Sequence, residues 1–199
     1  MALLACVSLY YLLNSRLAIG PRWIVPALIL LPLIPLSLRR HRHPDDSPVV
    51  RRVTLTLITF VTVANVTSMT LLVHRLLTTS VSQGRALVFS AASIWMTNII
   101  IYGIWFWEID RGGPTRRAAL DKSVFDLQFP QMENPKFAPD EWEPQFTDYL
   151  FTAFANGTSF APADAMPLTR RMKILFVTES IVSFITIAVL AARSINILK

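Results

Sequence analysis

An apolar run near the end of the chain limits the possible folds more than any other feature. After the basic residues Arg170, Arg171 and Lys173 comes ILFVTESIVSFITIAVLAARSINIL, about 25 residues in which the only carboxylate is Glu179. A helix needs about 20 predominantly apolar residues to cross the hydrocarbon core of a bilayer. The run is therefore predicted to be a transmembrane helix.

The composition of the whole chain agrees with a membrane location. Hydrophobic residues make up 53% of the chain and charged residues 16%, whereas soluble domains carry about 25% charged residues. The net charge of +6 comes from basic residues at the ends of apolar runs, which is the pattern of the positive-inside rule. We therefore expect the lipid bilayer as the partner and no nucleic acid. The single cysteine, Cys6, and the three histidines, two of which lie in the basic Arg39–His43 patch, make no metal-ligand pattern, so no metal site and no cofactor are predicted.

Four further apolar runs precede the last one and predict a four-span bundle over residues 1–107. They are Ala2–Leu13, Trp23–Leu38, Val53–Leu77 and Ala86–Trp107. The first run lacks the basic region and cleavage site of a secretory signal, so we interpret it as a retained span; a truncated gene start is the other explanation of its shortness. The predicted fold is an all-α integral membrane protein with about five transmembrane helices, multi-pass in the inner or plasma membrane. By the positive-inside rule, its N-terminus is cytoplasmic and its C-terminus external.

Small polar side chains recur at helical spacing in the third and fourth predicted spans. The two sets are Thr62, Asn65 and Ser68, and Ser90, Ser93 and Thr97. Such side chains make hydrogen bonds between membrane helices, each worth about 0.6 kcal/mol. A polar pathway through the membrane is the alternative interpretation.

Residues 108–147 are predicted to form a polar and aromatic loop at the membrane interface. Gly112, Gly113 and Pro114 end the fourth span at the start of this segment. The six scattered carboxylates of Ala118–Thr147 are interpreted as solvated. Among them, the pair Glu141 and Glu143 has neither the partners nor the spacing of a calcium loop or a catalytic site.

Residues 148–199 are predicted to form a re-entrant half-helix followed by the final span. Asp148 to Asn156 is too short to cross, and Gly157 is expected to end it, since glycine commonly follows the last helical residue. Non-helical backbone is tolerated at membrane depth where it is buried in protein or lines water. The candidate pore-loop residues are Asn156, Gly157, Thr158, Ser159 and Asp164.

Glu179 is the candidate intramembrane charge. A charged carboxylate at the centre of a span costs roughly 2.5 kcal/mol or more. One interpretation is a proton or cation site. The other is an ion pair that packs helices together, with Arg51, Arg52 or Arg111 as the expected partner.

Four motifs resemble a group of bacterial multi-pass membrane proteins related to the domain-of-unknown-function 1345 class. They are WEIDRGGP (Trp107–Pro114), DLQFPQM (Asp126–Met132), DYLFTAF (Asp148–Phe154) and AARSINIL (Ala191–Leu198). This resemblance implies a multi-pass membrane protein and no particular activity.

The segment TSFAPADAMPLT, Thr158–Thr169, is similar to the pore loop of two-helix potassium channels. Thr158 and Ser159 match its two threonines, and Asp164 matches its closing aspartate. Alanines replace both filter glycines, and Pro162 stands between them, so the row of inward carbonyls should not form. The resemblance implies a re-entrant architecture without potassium selectivity.

Two functions stay open on this basis. One is a membrane protein with a channel-like pore-loop module that passes an ion or small solute, as a homo-oligomer and a tetramer if it forms a pore. The alternative is a structural or regulatory membrane subunit in which the re-entrant loop only packs. The sequence has no Ser/His, Cys/His, paired-aspartate or HExxH arrangement, so no enzyme is predicted.

Overall fold

The computed structural model describes residues 48–78, 84–114, 125–133, 142–161 and 165–197, together with positions 2, 5, 6, 8, 9, 117 and 136. The chain forms two compact units, one of Met1–Ile101 with Val182–Lys199 and one of Tyr102–Ile181. Most of the first two predicted spans lies outside the described residues. The predicted total of about five spans therefore stays a prediction.

Helices dominate the described part of the chain. The elements are α1 (Pro48–Thr78), α2 (Gly84–Ile109) with a 3₁₀ turn at Asp110–Gly112, β1 (Leu127–Gln128), α3 (Pro130–Glu133), α4 (Phe146–Ser159), β2 (Met166–Pro167) and α5 (Arg170–Ile197). Three of them contain segments long and apolar enough to cross a membrane: Arg51–Leu76, Leu87–Gly112 and Arg170–Ala192. The third, fourth and last predicted spans are thus confirmed as long apolar helices.

Most of the polar side chains predicted to face other helices are buried in the first unit. Thr62 is the exception: it is half-buried, and its hydroxyl donates to the Ile58 carbonyl of its own helix over 2.7 Å. Asn65 and Ser68 on α1 and Thr97 on α2 are all buried. Beside Thr97, the Asn98 amide donates to the Ser183 hydroxyl of α5 over 3.0 Å. This is the kind of interhelical hydrogen bond that small polar residues make between membrane helices.

Helix α5 has two faces, and their polarity is the reverse of that in a water-soluble helix. Ile174, Val177 and Ile181 recur at intervals of three and four residues, and each is more than half exposed. The opposite face is buried and carries Met172 and Glu179. Because the exposed stripe is apolar and the buried face holds a carboxylate, a bilayer suits this helix better than water does.

Helix α4 is shorter than a membrane span. Its 14 residues give a length of about 21 Å, whereas the hydrocarbon core is about 30 Å thick. It packs closely on α2, since a Cβ built on Gly103 would lie 3.2 Å from the Cα of Leu150.

The prediction that Gly157 ends this helix was wrong. Gly157 lies inside α4, and the helix ends at Phe160, which has a left-handed backbone with φ 56°. The hydroxyls of Thr158 and Ser159 donate to the carbonyl oxygens of Phe154 and Ala155. These bonds, with that from the Phe160 N–H to the Asn156 carbonyl, satisfy the last turn without a glycine cap.

A short antiparallel pair connects the chain before α5 to the segment after α2. Leu127 pairs with Pro167 and Gln128 with Met166, and the Leu168 N–H donates to the Asp126 carbonyl over 2.9 Å. The chain enters α5 from a fixed strand at this point. Pro162 and Asp164, where irregular backbone was predicted, lie outside the described residues.

The close packing of α2 on α4 at Gly103 predicts that a larger side chain there lowers the stability of the protein. Gly103→Val should destabilise the protein by about 1–3 kcal/mol, because the added methyl groups meet the backbone of α4. The matched control is Ala92→Val on the exposed side of α2, which should change little. Melting temperature in mild detergent compares the two, and equal values would contradict the close packing of α2 on α4.

Candidate functional site

The carboxylate of Asp110 collects donors from three segments of the second unit. It is fully buried where α2 ends. Its Oδ2 accepts from the Tyr149 hydroxyl over 2.6 Å and from Arg117 Nη1 over 3.4 Å. Its Oδ1 accepts from the backbone N–H groups of Asp126 and Leu127, each at 3.2 Å. One side chain thus joins the end of α2, the start of β1 and helix α4.

The guanidinium of Arg117 lies in an aromatic setting beside Asp110. Its Nη1 donates to the Tyr149 hydroxyl over 2.6 Å, and its Cζ lies 4.2 Å from the ring centroid of Trp107. Burial raises the pKa of Tyr149, and the negative charge of Asp110 raises it further. Tyr149 therefore stays protonated and donates to Asp110 throughout the physiological pH range.

Asp126 forms the second centre of the same cluster. Burial alone would raise the pKa of Asp126, but hydrogen bonds from Arg171, Thr169 and the backbone N–H of Arg111 outweigh burial and lower it. Arg171 donates through two nitrogens, with Nε 2.8 Å from Oδ1 and Nη2 bonded to Oδ2. Such a two-point contact is the stronger geometry for an arginine–carboxylate pair.

Asp126 also stabilises an unusual backbone conformation. Arg111 has φ 52°, a left-handed conformation that costs a non-glycine residue about 1–2 kcal/mol. Its N–H donates to Asp126 Oδ2 over 2.9 Å, and its guanidinium lies over the Phe125 ring. We name Asp110, Arg117, Asp126, Tyr149 and Arg171 the aspartate network.

This network was not predicted from the sequence. The carboxylates of Ala118–Thr147 were interpreted as solvated, which was wrong for the buried Asp126, and no burial was predicted for Asp110, which is buried as well. The available signal was that EIDR and DLQF belong to the motifs carrying the first family resemblance. Burial of their aspartates could not be inferred, because their partners lie up to 45 residues away along the chain.

A third buried carboxylate among the described residues lies on the inner face of α5. Glu179 is fully buried, and its Oε2 accepts from Asn156 Nδ2 over 2.8 Å. The same Nδ2 donates to the Phe176 carbonyl over 3.0 Å, and Asn156 Oδ1 accepts from the Ser180 hydroxyl over 3.2 Å. We name these four groups the Glu179 site.

One of the three arginines predicted to pair with Glu179 pairs with another carboxylate. Arg111, one of three arginines predicted near Glu179, has its Nε 3.5 Å from Asp110 Oδ2. One side chain in contact with Glu179 is the neutral amide of Asn156. Asn156 was predicted as a pore-loop residue, and the structure buries it between α4 and α5.

The remaining candidate pore-loop residues have varied positions. Gly157 is buried in α4, whereas Thr158 and Ser159 are exposed in its last turn. Asp164 lies outside the described residues. Within the described part of the chain, no group of three or more histidine, cysteine, aspartate or glutamate side chains could hold a metal ion.

Comparisons with known proteins identify no relatives. No protein-family model matches the chain, and neither a curated protein nor a solved structure is significantly similar to it. Both family resemblances therefore stay predictions.

The aspartate network predicts a large effect of neutralising Asp110. Asp110→Asn should cost about 3–5 kcal/mol, because it leaves Arg117 buried beside an uncharged partner. Tyr149→Phe, which removes one hydroxyl, should cost about 1–3 kcal/mol. Glu143→Gln, at an exposed carboxylate in the same unit, is the control. Melting temperatures in detergent rank the variants, and an Asp110→Asn protein as stable as the control would contradict the role of Asp110.

The lowered pKa of Asp126 predicts a loss of stability in acid. A carboxylate with a depressed folded-state pKa stabilises the fold above its unfolded pKa, about 3.9, and loses that contribution as pH falls through the folded value. Stability should therefore fall below about pH 4. The Asp126→Asn variant should lose less stability than wild type as the pH falls below that value, and the Glu143→Gln variant should lose as much as wild type. Identical acid profiles for wild type and Asp126→Asn would count against the prediction.

Proposed function

We propose that the chain is a multi-pass protein of the inner or plasma membrane that passes a proton or small cation, with Glu179 as the binding group. One observation carries the proposal: a fully buried carboxylate on a candidate membrane helix is in contact with a neutral amide. Ionisable groups inside membrane spans are rare, and they mark ion pathways and proton relays. The channel-like module passes its ion without preferring potassium to sodium.

The chemistry of the Glu179 site supports a proton or a hard cation. Its oxygens are the Glu179 carboxylate, Asn156 Oδ1, the Ser180 hydroxyl and the Phe176 carbonyl, all linked through hydrogen bonds of the single Asn156 amide. Oxygen ligands suit hard cations, and a carboxylate also binds a proton. Rotation of one amide would expose several of these oxygens to an entering ion.

Helix α4 supplies the re-entrant half-helix of this proposal. Tyr149 and Asn156 are seven residues apart on α4, and therefore lie on one face, two turns from each other. Tyr149 bonds to Asp110 at the end of α2, and Asn156 bonds to Glu179 on α5. The other face exposes Phe151 and Phe154, which suits lipid or a neighbouring subunit better than water.

A pore of this kind needs several copies of the chain. One chain supplies one half-helix, so the pathway forms around a symmetry axis. Four copies are expected from the potassium-channel resemblance.

The alternative is a structural or regulatory membrane subunit in which α4 only packs. The bonds of α4 favour this alternative: Asn156 uses both amide atoms in contacts with α5. The hydroxyls of Thr158 and Ser159 donate to carbonyls in the last turn of α4. Those carbonyls are therefore not free to coordinate an ion. A stable monomer in mild detergent would favour this alternative, and a tetramer would favour the pore.

Flux through reconstituted liposomes tests the proposal. The wild-type protein should pass protons or sodium and show no preference for potassium. Glu179→Gln should reduce the flux at least tenfold, because the amide binds neither a proton nor a cation as a carboxylate does. Glu143→Gln is the matched control at an exposed site and should leave the flux unchanged.

Three results would contradict the proposal. Unchanged flux through the Glu179→Gln variant would show that Glu179 is not the ion-binding group. No flux of any of the three ions through the wild-type protein would favour the packing alternative. Strong selectivity for potassium would contradict the expectation that a filter cannot form without its two glycines.

A further inference from the structure

Two basic side chains stand at the head of the exposed apolar stripe on α5. Arg170 and Lys173 are exposed in its first turn. At about 100° per residue, they lie on the same side of the helix as Ile174, Val177 and Ile181. On this side of α5, the two positive charges in the first turn are therefore followed by exposed apolar side chains.

The third basic residue of the cluster has a different role. Arg171 lies to the side of the stripe and is bonded to Asp126. Neither Arg170 nor Lys173 takes part in an ion pair among the described residues. Their charges are available to a ligand, whereas the charge of Arg171 is already compensated.

The stripe is long enough to line one leaflet of a bilayer. From Lys173 to Ile181 the helix rises about 12 Å, and the exposed Phe184 continues the same face beyond Ile181. Half of the hydrocarbon core is about 15 Å thick. With the stripe in the acyl-chain region, Arg170 and Lys173 lie at the level of the lipid phosphates.

We propose that Arg170 and Lys173 bind the phosphate of an anionic phospholipid whose acyl chains lie along Ile174, Val177 and Ile181. A lipid with net negative charge satisfies both side chains, whereas a zwitterionic lipid brings its own positive charge to them. Two basic residues near a membrane surface favour an anionic lipid by roughly thirtyfold. This inference does not depend on ion transport, because it uses the face of α5 opposite Glu179.

Native mass spectrometry of protein purified in mild detergent tests the site. The protein is mixed with phosphatidylglycerol or phosphatidylcholine, and retained lipid is counted. Wild type should retain phosphatidylglycerol, and the double variant Arg170→Gln/Lys173→Gln should retain it at least tenfold less. The control Arg52→Gln/Lys136→Gln removes the same charge at two other exposed positions and should match wild type. Melting temperatures confirm that both variants are folded.

Several outcomes would overturn the proposal. Equal retention of the two lipids, an unaffected Arg170→Gln/Lys173→Gln variant, or equal loss in the control would each exclude a specific site. Displacement of the lipid by the same concentration of inorganic phosphate would mean that a free anion is the ligand.

A second copy of the chain is the competing occupant of the stripe. Ile181→Cys, made with Cys6→Ser to remove the only natural cysteine, tests it by oxidation in bilayers. If lipid covers the stripe, the variant stays monomeric on a denaturing gel. A disulfide-linked dimer would show that another copy covers it and would overturn the lipid proposal.

Discussion

The carboxylate of Asp110 is the interaction on which the second unit depends. Its oxygens accept from the Tyr149 hydroxyl, from Arg117 and from the N–H groups that open β1. In a buried, low-dielectric setting these bonds reinforce one another, and a missing partner is costly. The end of α2, the start of β1 and the position of α4 are therefore fixed together.

The consequence reaches the Glu179 site through α4. Because Tyr149 and Asn156 share one face of that helix, anchoring Tyr149 on Asp110 sets the height and rotation of Asn156 against α5. The buried carboxylates of the described residues have different neighbours. Asp110 and Asp126 contact arginines, and Glu179 contacts the amide of Asn156. The two aspartates hold the fold together, and Glu179 is the group that we propose for ion binding.

The features predicted well from the sequence are those that depend on neighbouring residues. Length and hydropathy are local properties, and they located α1, α2 and α5. Burial of Asp110 and Asp126 depends on partners far along the chain, and a carboxylate in a polar segment gives no local sign of them. The prediction for Gly157 was wrong although it used a local rule. Glycine is common just past a helix end, but α4 continues for two more residues, whose hydroxyls donate to carbonyls of the preceding turn.

The contacts of α5 also limit how the proposed ion exchange can occur. Near its start, Arg171 is bonded to Asp126, and about two turns later Glu179 is bonded to Asn156. A shift of α5 by one residue, about 1.5 Å and 100°, would break both contacts and turn Glu179 toward the exposed apolar side of the helix. A charged carboxylate there costs several kcal/mol. In the proposed function, ion binding and release therefore use rotation of the Glu179 and Asn156 side chains while the helices keep their register, and the contacts of the aspartate network stay intact.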